Sequence, residues 1–321
     1  MAGSRKDAVM ELQATAQVTR KAYGKINIGL DVTGKREDGY HLVKMILQTV
    51  DIHDDVTVRR IDVDASRGGE TGYGEPQIIL TCDDPGLPTD ERNLAYRAAE
   101  AMIKAFDLKG GVSIDIKKRI PKEAGMAGGS TDAAAVLLAM QELFGLRDAA
   151  ERADGEDAYD IPAKLDEIAL SLGADVPFCL RKGTYLAEGI GEKLTKLRNL
   201  PHAHLVIIVP GFGISTKWAY EQVDAIPDLK HPDIDAITTA IGEGDIREVA
   251  QRMGNILEEV AVRKYPEIRE IKEILLEHGA MGAMMSGSGS AVFGIFDDPQ
   301  KAEQSFEAFK GDGYGKFKSQ L

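Results

Sequence analysis

Hydrophobic and polar positions alternate with a period of two over Lys25 to Leu30, placing Ile26, Ile28 and Leu30 on one face and Lys25, Asn27 and Gly29 on the other. VTRKAYGKINIGLDV therefore reads as a strand from Val18, with a lysine and an asparagine projecting from one side. A charged, glycine-bearing turn follows at Thr33 to Gly39, then Tyr40-His41. HLVKMILQTVDI fits helix or strand. Its β-branched content, and the DDVTVRRIDV after it, favour strands joined as a hairpin. Ser66 to Pro76, with Gly68, Gly69, Gly72 and Gly74, reads as a long loop or hairpin tip, and QIILTC as a short buried strand. The period changes to that of a helix in DERNLAYRAAEAMIKAF, whose apolar stripe is Leu94, Ala98, Ala101, Met102 and Ala105. GVSIDIKKRI alternates again and delivers the chain into its most distinctive stretch.

That stretch is Ile120 to Leu138, IPKEAGMAGGSTDAAAVLL. Gly125, Gly128 and Gly129 let the backbone turn its N–H groups to one side, and Ala133 to Leu138 form a helix that Ser130 or Thr131 can cap, with Asp132 in the first turn. Free N–H groups feeding a helix N-terminus make an anion site, usually for phosphate. An ordinary capped helix after a flexible turn has the same composition. The lysine and hydroxyl of a P-loop are missing after the glycines, and GxxGG is not the dinucleotide spacing GxGxxG, so neither of those folds is indicated.

The loop's helix is expected to run to about Phe144 and stop at Gly145, with Arg147 to Tyr159 charged and exposed. IPAKLDEIALSLG is a helix ending at Gly173, followed by a turn, Ala174 to Leu180, into apolar chain. GTYLAEGIGEKL reads as a hairpin around Gly189 and Gly191, HLVIIVPGFG as a central strand stopped by Pro210, and STKWAYEQV as a helix capped by Ser215 or Thr216. Helices at Ile234–Ile241, Ile246–Met253 and Glu267–His278 precede a second glycine loop, Ser286 to Ser290, the strand AVFGIF and the helix PQKAEQSFEAF. No repeat is visible, and the mixture suggests α+β layers. The expected organisation is an N-terminal extension over 1–17, one domain over 18–200 and a second over 201–321.

A net charge of −13 argues against a general nucleic-acid surface. An anionic substrate would then need a local cluster, and Lys117-Lys118-Arg119 with Lys122 adjoins the glycine loop, although a solvated strand end looks the same. Cys82 and Cys179 lack disulfide or zinc spacing, the histidines include no HExxH, and no apolar run reaches the ~20 residues of a membrane span. Arg5, Lys6, Asp7 and Glu11 interrupt any signal-peptide core, so the expected location is cytoplasmic. Of single residues, Asp175 could be a site carboxylate or a turn aspartate, Lys25 an ion-pair partner, phosphate ligand or solvated side chain, and Tyr40 with His41 a ring-binding pair or core.

Together, GKINIGLDVTGKREDGYH, PKEAGMAGGSTDAAAVLLAM, LGADVPFCL, GIGEKL and MMSGSGSAVFGIF, in that order, resemble the GHMP kinase superfamily. GKREDGYH with LGADVPF resembles, within it, the kinases of 4-diphosphocytidyl-2-C-methyl-D-erythritol. The resemblance covers about Thr19 to Phe296. It implies an S5-like N-terminal domain, a ferredoxin-like C-terminal domain and an ATP-dependent transfer to the tertiary 2-hydroxyl of that small-molecule substrate, in the non-mevalonate route to isoprenoid precursors. It further implies ATP and Mg²⁺, a phosphate cradle at Pro121, Lys122, Glu123, Ala124, Gly125, Met126, Ala127, Gly128, Gly129, Ser130 and Thr131, and catalytic Lys25 and Asp175. Asn27 matches a polar substrate contact, Tyr40 and His41 the residues that hold cytosine, and Tyr220 a second aromatic against that ring. The metal ligands are unassigned, with Ser130 a candidate. No nucleic-acid or membrane partner is implied, and the oligomeric state is open. Ala22-Tyr23-Gly24 stand where these kinases commonly have Pro-Ala before the lysine, Met126 replaces a usual leucine and Thr131 a usual serine.

Overall fold

The alternation from Val18 becomes one long strand, β1 (Gln17–Lys35), in a computed structural model that describes residues 16–61, 77–147, 160–311 and 313–321. Its antiparallel partner β2 (His41–Ile61) is also unbroken, so HLVKMILQTVDI and DDVTVRRIDV form a single strand and the expected hairpin between them does not exist. Pairing with β1 along almost its whole length removes the need for a turn. The register slips between Tyr23 and Lys25 and again between Asn27 and Gly29. A one-residue slip exchanges the two faces of a strand. Ile26 and Ile28 accordingly enter the core beneath the second sheet, whereas Leu30 joins the other side, which Asn27 also faces. Gly29 takes the place expected of an apolar residue. A Cβ there would lie 2.8 Å from Ile234 and 2.9 Å from Ile237, so the helix α6 (Ile234–Glu243) can pack this close only to glycine.

The first sheet continues with β3 (Ile78–Cys82), β4 (Gly111–Lys117), β5 (Thr184–Glu188) and β6 (Lys193–Lys196), and with the two-residue β8 (Gly254–Asn255) parallel to β1. The order is β3-β4-β2-β1-β8, with β5 on a second stretch of β2 and β6 beyond it. β3 is an edge strand with only Leu80 buried, not the buried strand that QIILTC suggested. α1 (Leu94–Ala105), α2 (Gly128–Leu143) and α3 (Ile161–Leu172) pack over this sheet, sharing a core that includes Ala98, Met102, Ile114, Val136 and Ile168. A one-turn helix, α4 (Val176–Cys179), follows Asp175. The expectations for Ser66 to Pro76 and for most of Arg147 to Tyr159 lie outside the described residues.

The second sheet has the order β11-β7-β10-β9, built from β7 (His204–Pro210), β9 (Gly282–Met285), β10 (Val292–Phe296) and β11 (Tyr314–Gln320). β7 is internal, as its apolar run suggested. Leu205, Ile207 and Val209 pack toward Ile26, Ile28 and Ile46 of the first sheet, while Val206 and Ile208 face the helices. Those helices are α5 (Thr216–Ala225), α6, α7 (Ile246–Arg252), α8 (Ile256–Lys264), α9 (Glu267–Glu277) and α10 (Pro299–Ala308). No described helix is long and apolar enough to cross a membrane.

A buried charge cluster ties three elements together. Lys118 bridges Asp54 of β2 and Asp132 of α2, the latter at 2.7 Å, and all three side chains are nearly inaccessible. Asp54 also accepts from the backbone N–H groups of Arg119 and Ile120. Burial pushes the Asp132 carboxyl up, with the nearby Asp54 charge adding to the shift and Lys118 opposing it. Removing one member of such a network leaves buried charge uncompensated. Lys118→Met should therefore destabilise the chain by about 3–5 kcal/mol in denaturant unfolding. A loss below about 1 kcal/mol, the range of an exposed pair, would show that the cluster is solvated.

Candidate active site

The glycine loop owes its shape to what lies behind it. Glu123, Gly125 and Ala127 have φ of 51°, 70° and 58°, so every second residue is left-handed. Such alternation turns successive N–H groups toward one side. The carbonyls on the other side are taken. Glu123 O accepts from Ser290 N (3.2 Å), Ala124 O from Ala291 N (3.3 Å), Gly125 O from Ser286 Oγ (3.0 Å) and Met126 O from Lys25 N (3.2 Å). Gly125 allows this closure, because a Cβ there would sit 1.9 Å from the Ser286 carbonyl oxygen. The second glycine loop thus braces the first. It is itself held by Asn255, whose Nδ2 donates to Met285 O and Gly287 O at 2.9 and 2.8 Å. The amides of Gly125 to Ala127 have no acceptor among the described residues.

The helix begins at Gly128 with Ala127 as its cap, in the left-handed conformation and without a capping side chain, so neither Ser130 nor Thr131 caps it. Ser130 is half-buried and lines a cleft of about 1570 Å³. Thr131 points the other way and donates to Tyr23 O at 2.6 Å, so it alone of the predicted cradle residues does not line the cleft. Pro121 to Ser130 do, as do Lys25, Asn27, Tyr40, His41, Asp175 and Tyr220. Sequence reasoning missed Gly86 to Pro88 and Arg92 to Leu94, which line the cleft beside the loop, and also Thr216 and Ser288, whose hydroxyls lie 2.9 Å apart. Asn93 caps α1 through Ala95 N, an N-cap pattern that could have drawn attention to it.

β1 aims Lys25 and Asn27 inward, and both are buried. Lys25 Nζ donates to Asn27 Oδ1 at 2.7 Å, and makes no ion pair with Asp175 among the described residues. Both line the cleft, and both charges act on one thiol. Burial pushes the Cys179 thiol up, Asp175 adds to that shift and Lys25 opposes it. Asp175 is half-buried at the start of α4. Burial and then the Asp175 charge also push the Tyr220 hydroxyl up, which places this carboxylate near the aromatic group. His41 stacks on Tyr220 with centroids 4.8 Å apart, and its Nε2 hydrogen-bonds Asp224 Oδ1 at 2.8 Å. Lys35 pairs with the same aspartate at 2.5 Å. Tyr40 is 60% exposed at the cleft's rim, so it is not core.

The basic run beside the loop is not a free cationic cluster. Lys118 is buried between two carboxylates, Arg119 pairs with Asp55 at 2.8 Å, Lys122 with Asp84 at 2.9 Å, and Lys117 lies 3.7 Å from Asp115. Partner-free amides rather than lysines are therefore the donors that this stretch offers to the cleft. Among the described residues no group of three His, Cys, Asp or Glu side chains could hold a metal. The cleft does offer the Ser130 hydroxyl and the Oδ1 of Asp132, which is buried without a partner. A Mg²⁺ ion that arrives with substrate phosphates needs only one or two protein oxygens, and these fit it.

Comparison with known proteins agrees with the geometry. The model of the GHMP kinases N terminal domain matches residues 93–183, and that of the GHMP kinases C terminal region matches 237–315. A 4-diphosphocytidyl-2-C-methyl-D-erythritol kinase of Clostridium botulinum (strain Loch Maree / Type A3) is 44% identical over 90% of this chain and 95% of its own. One of Clostridium acetobutylicum is 43% identical over the same shares. A crystal structure of a 4-(cytidine 5'-diphospho)-2C-methyl-D-erythritol kinase superposes with a TM-score of 0.74 at 33% identity, over 94% of this chain and 98% of that one. Homoserine kinase from Cytophaga hutchinsonii, at 19% identity and a TM-score of 0.68 over 99% of this chain and 95% of its own, shares the fold. By its sequence, its fold and the contents of its cleft, this chain belongs to the GHMP kinases and, within them, to the 4-diphosphocytidyl-2-C-methyl-D-erythritol kinases.

Proposed function

We propose that the protein transfers the terminal phosphoryl group of ATP to the 2-hydroxyl of 4-diphosphocytidyl-2-C-methyl-D-erythritol, in the methylerythritol phosphate route to isoprenoid precursors. The observation that carries this reading is one cleft that combines partner-free loop amides, the Lys25 and Asp175 charges, and an aromatic pair. The amides of Gly125 to Ala127 and the N-terminus of α2 would hold the phosphates of ATP. Gly86 to Pro88 and Leu94, beside the loop, would receive its nucleoside portion. His41, Tyr220 and the exposed Tyr40 would take the flat cytosine ring. Asp224 holds His41 in place and so sets which ring nitrogen carries the proton.

An alcohol is a weak nucleophile until its proton leaves as the new bond forms. Asp175 would accept that proton while the substrate oxygen bonds to phosphorus and the bond from phosphorus to the ADP oxygen breaks. Asn27 keeps the Lys25 ammonium directed into the cleft, where it offsets charge on the moving phosphoryl group. Ser130 and Asp132 would hold Mg²⁺, which supplies further neutralisation of phosphate charge. Most of the rate then comes from alignment of two substrates along one cleft.

The function is tested by measuring ADP release from Mg·ATP with 4-diphosphocytidyl-methylerythritol, mevalonate or homoserine. Turnover with the cytidine substrate alone is expected, and turnover only with another alcohol would overturn the assignment. Asp175→Asn should fold normally and bind ATP as the wild type does, with kcat lower by about 10²–10⁴-fold; near-wild-type kcat would reject Asp175 as the base. Tyr220→Ala should act on binding instead, raising KM for the cytidine substrate about tenfold or more, since base stacking contributes about 1–3 kcal/mol. Unchanged KM would remove Tyr220 from the ring site.

A further inference from the structure

A second cavity, of about 260 Å³, lies where β1, α2 and α4 converge away from the main cleft. Thr19 to Tyr23 line it from β1, Thr131, Ala135 and Leu138 from α2, and Phe178 to Lys182 from α4 and the turn after it. Four cations border it, Arg20, Lys21, Arg181 and Lys182, on a chain whose net charge is −13. Two of these have carboxylate partners, Arg20 with Glu142 and Arg181 with Asp166, the latter at 2.6 Å. Lys21 has no ion pair among the described residues, and Lys182 lies over the Tyr23 ring at 4.1 Å. The Arg20 Nε is buried without an acceptor, behind the cavity wall. Beside these cations the lining is apolar, through Ala135, Leu138, Phe178 and Leu180.

We propose that this cavity binds a small phosphorylated ligand with a short hydrocarbon portion. The two lysines, which have no carboxylate partner among the described residues, would donate to the phosphate, and the paired arginines beside them keep the wall cationic. The apolar lining shields the hydrocarbon from water. The volume falls below the ~300–1,000 Å³ of pockets for drug-sized ligands, which excludes a second nucleotide. The occupant would touch the elements that carry the glycine loop and Asp175 without entering the cleft. Thr131 is in the first turn of the helix that holds the phosphate loop, and its hydroxyl is bonded to Tyr23, two residues before Lys25. Phe178 and Cys179 belong to the helical turn that starts at Asp175.

The test is calorimetric titration of the full chain with n-butyl phosphate, in the presence of a saturating non-hydrolysable ATP analogue that blocks the glycine loop. One binding event is expected under these conditions. It should weaken about tenfold or more in Lys21→Ala/Lys182→Ala, because charge-assisted hydrogen bonds contribute about 1.5–3 kcal/mol. That double variant should keep its melting temperature and its affinity for the ATP analogue. Inorganic phosphate should bind more weakly than the butyl ester, since each buried CH₂ contributes about 0.8 kcal/mol. Absence of binding to the analogue-loaded chain, equal affinity in the double variant, or equal affinity for inorganic phosphate would overturn the proposal. Affinity for the analogue is measured separately, so failure of the ATP site itself would be recognised as a different result.

Discussion

Closure of the glycine loop from behind is the constraint on which the site depends. Consecutive carbonyls from Glu123 to Met126 are each held by a donor: the backbone N–H groups of Ser290 and Ala291, the Ser286 hydroxyl and the backbone N–H of Lys25 in β1. A peptide whose C=O is fixed on one side has its N–H fixed on the other. The amides of the loop are therefore aimed before any ligand arrives, and little reorganisation remains for the reaction. The donors come from both sheets. Between the two sheets, Ile26, Ile28 and Ile46 share a core with Leu205, Ile207 and Phe293.

This arrangement also explains how an acidic protein can hold two highly charged substrates. The basic residues next to the loop are consumed by carboxylates, with Lys118 between Asp54 and Asp132 as the most buried case. Their contribution is to fix where the loop begins and where α2 starts. The charge felt in the cleft comes from oriented amides, from Lys25 and from the start of a helix, all set by backbone geometry. Surface charges farther from the cleft than a Debye length, about 8 Å at physiological salt, are largely screened from it.

Much of this was legible in the amino-acid pattern. The period-two run at Lys25, the helical stripe of α1, the apolar β7 and the two glycine loops all appear where composition and spacing put them. The resemblance of the loop and strand motifs to one kinase family carried the residues now lining the cleft. What escaped was set by partners distant in the chain. The slip near Asn27 that turns Leu30 toward the cleft comes from register with β2, and no local signal marks it. α8 and β9, left unassigned from the sequence, flank the second glycine loop, and Asn255, which pins it, reads locally as an unremarkable polar residue. β11 was also left unassigned, because its lysines mask an edge-strand alternation. Ser130 and Thr131 looked like caps because hydroxyls usually cap helices, yet the left-handed Ala127 makes that unnecessary and frees Thr131 to bond Tyr23.

The central claim, that the phosphate cradle works because a second loop holds it from behind, is tested most directly by Gly125→Ala. A methyl group there meets the Ser286 carbonyl and a φ that disfavours any side chain, so the two loops must part. The measurement is kcat of the folded variant at saturating ATP and alcohol substrate. A displacement near 1 Å at the reacting groups predicts a fall of about 10²-fold with the fold retained by circular dichroism. A kcat within about twofold of wild type, where only around 0.4 kcal/mol of barrier has changed, would show that the cradle does not need the brace.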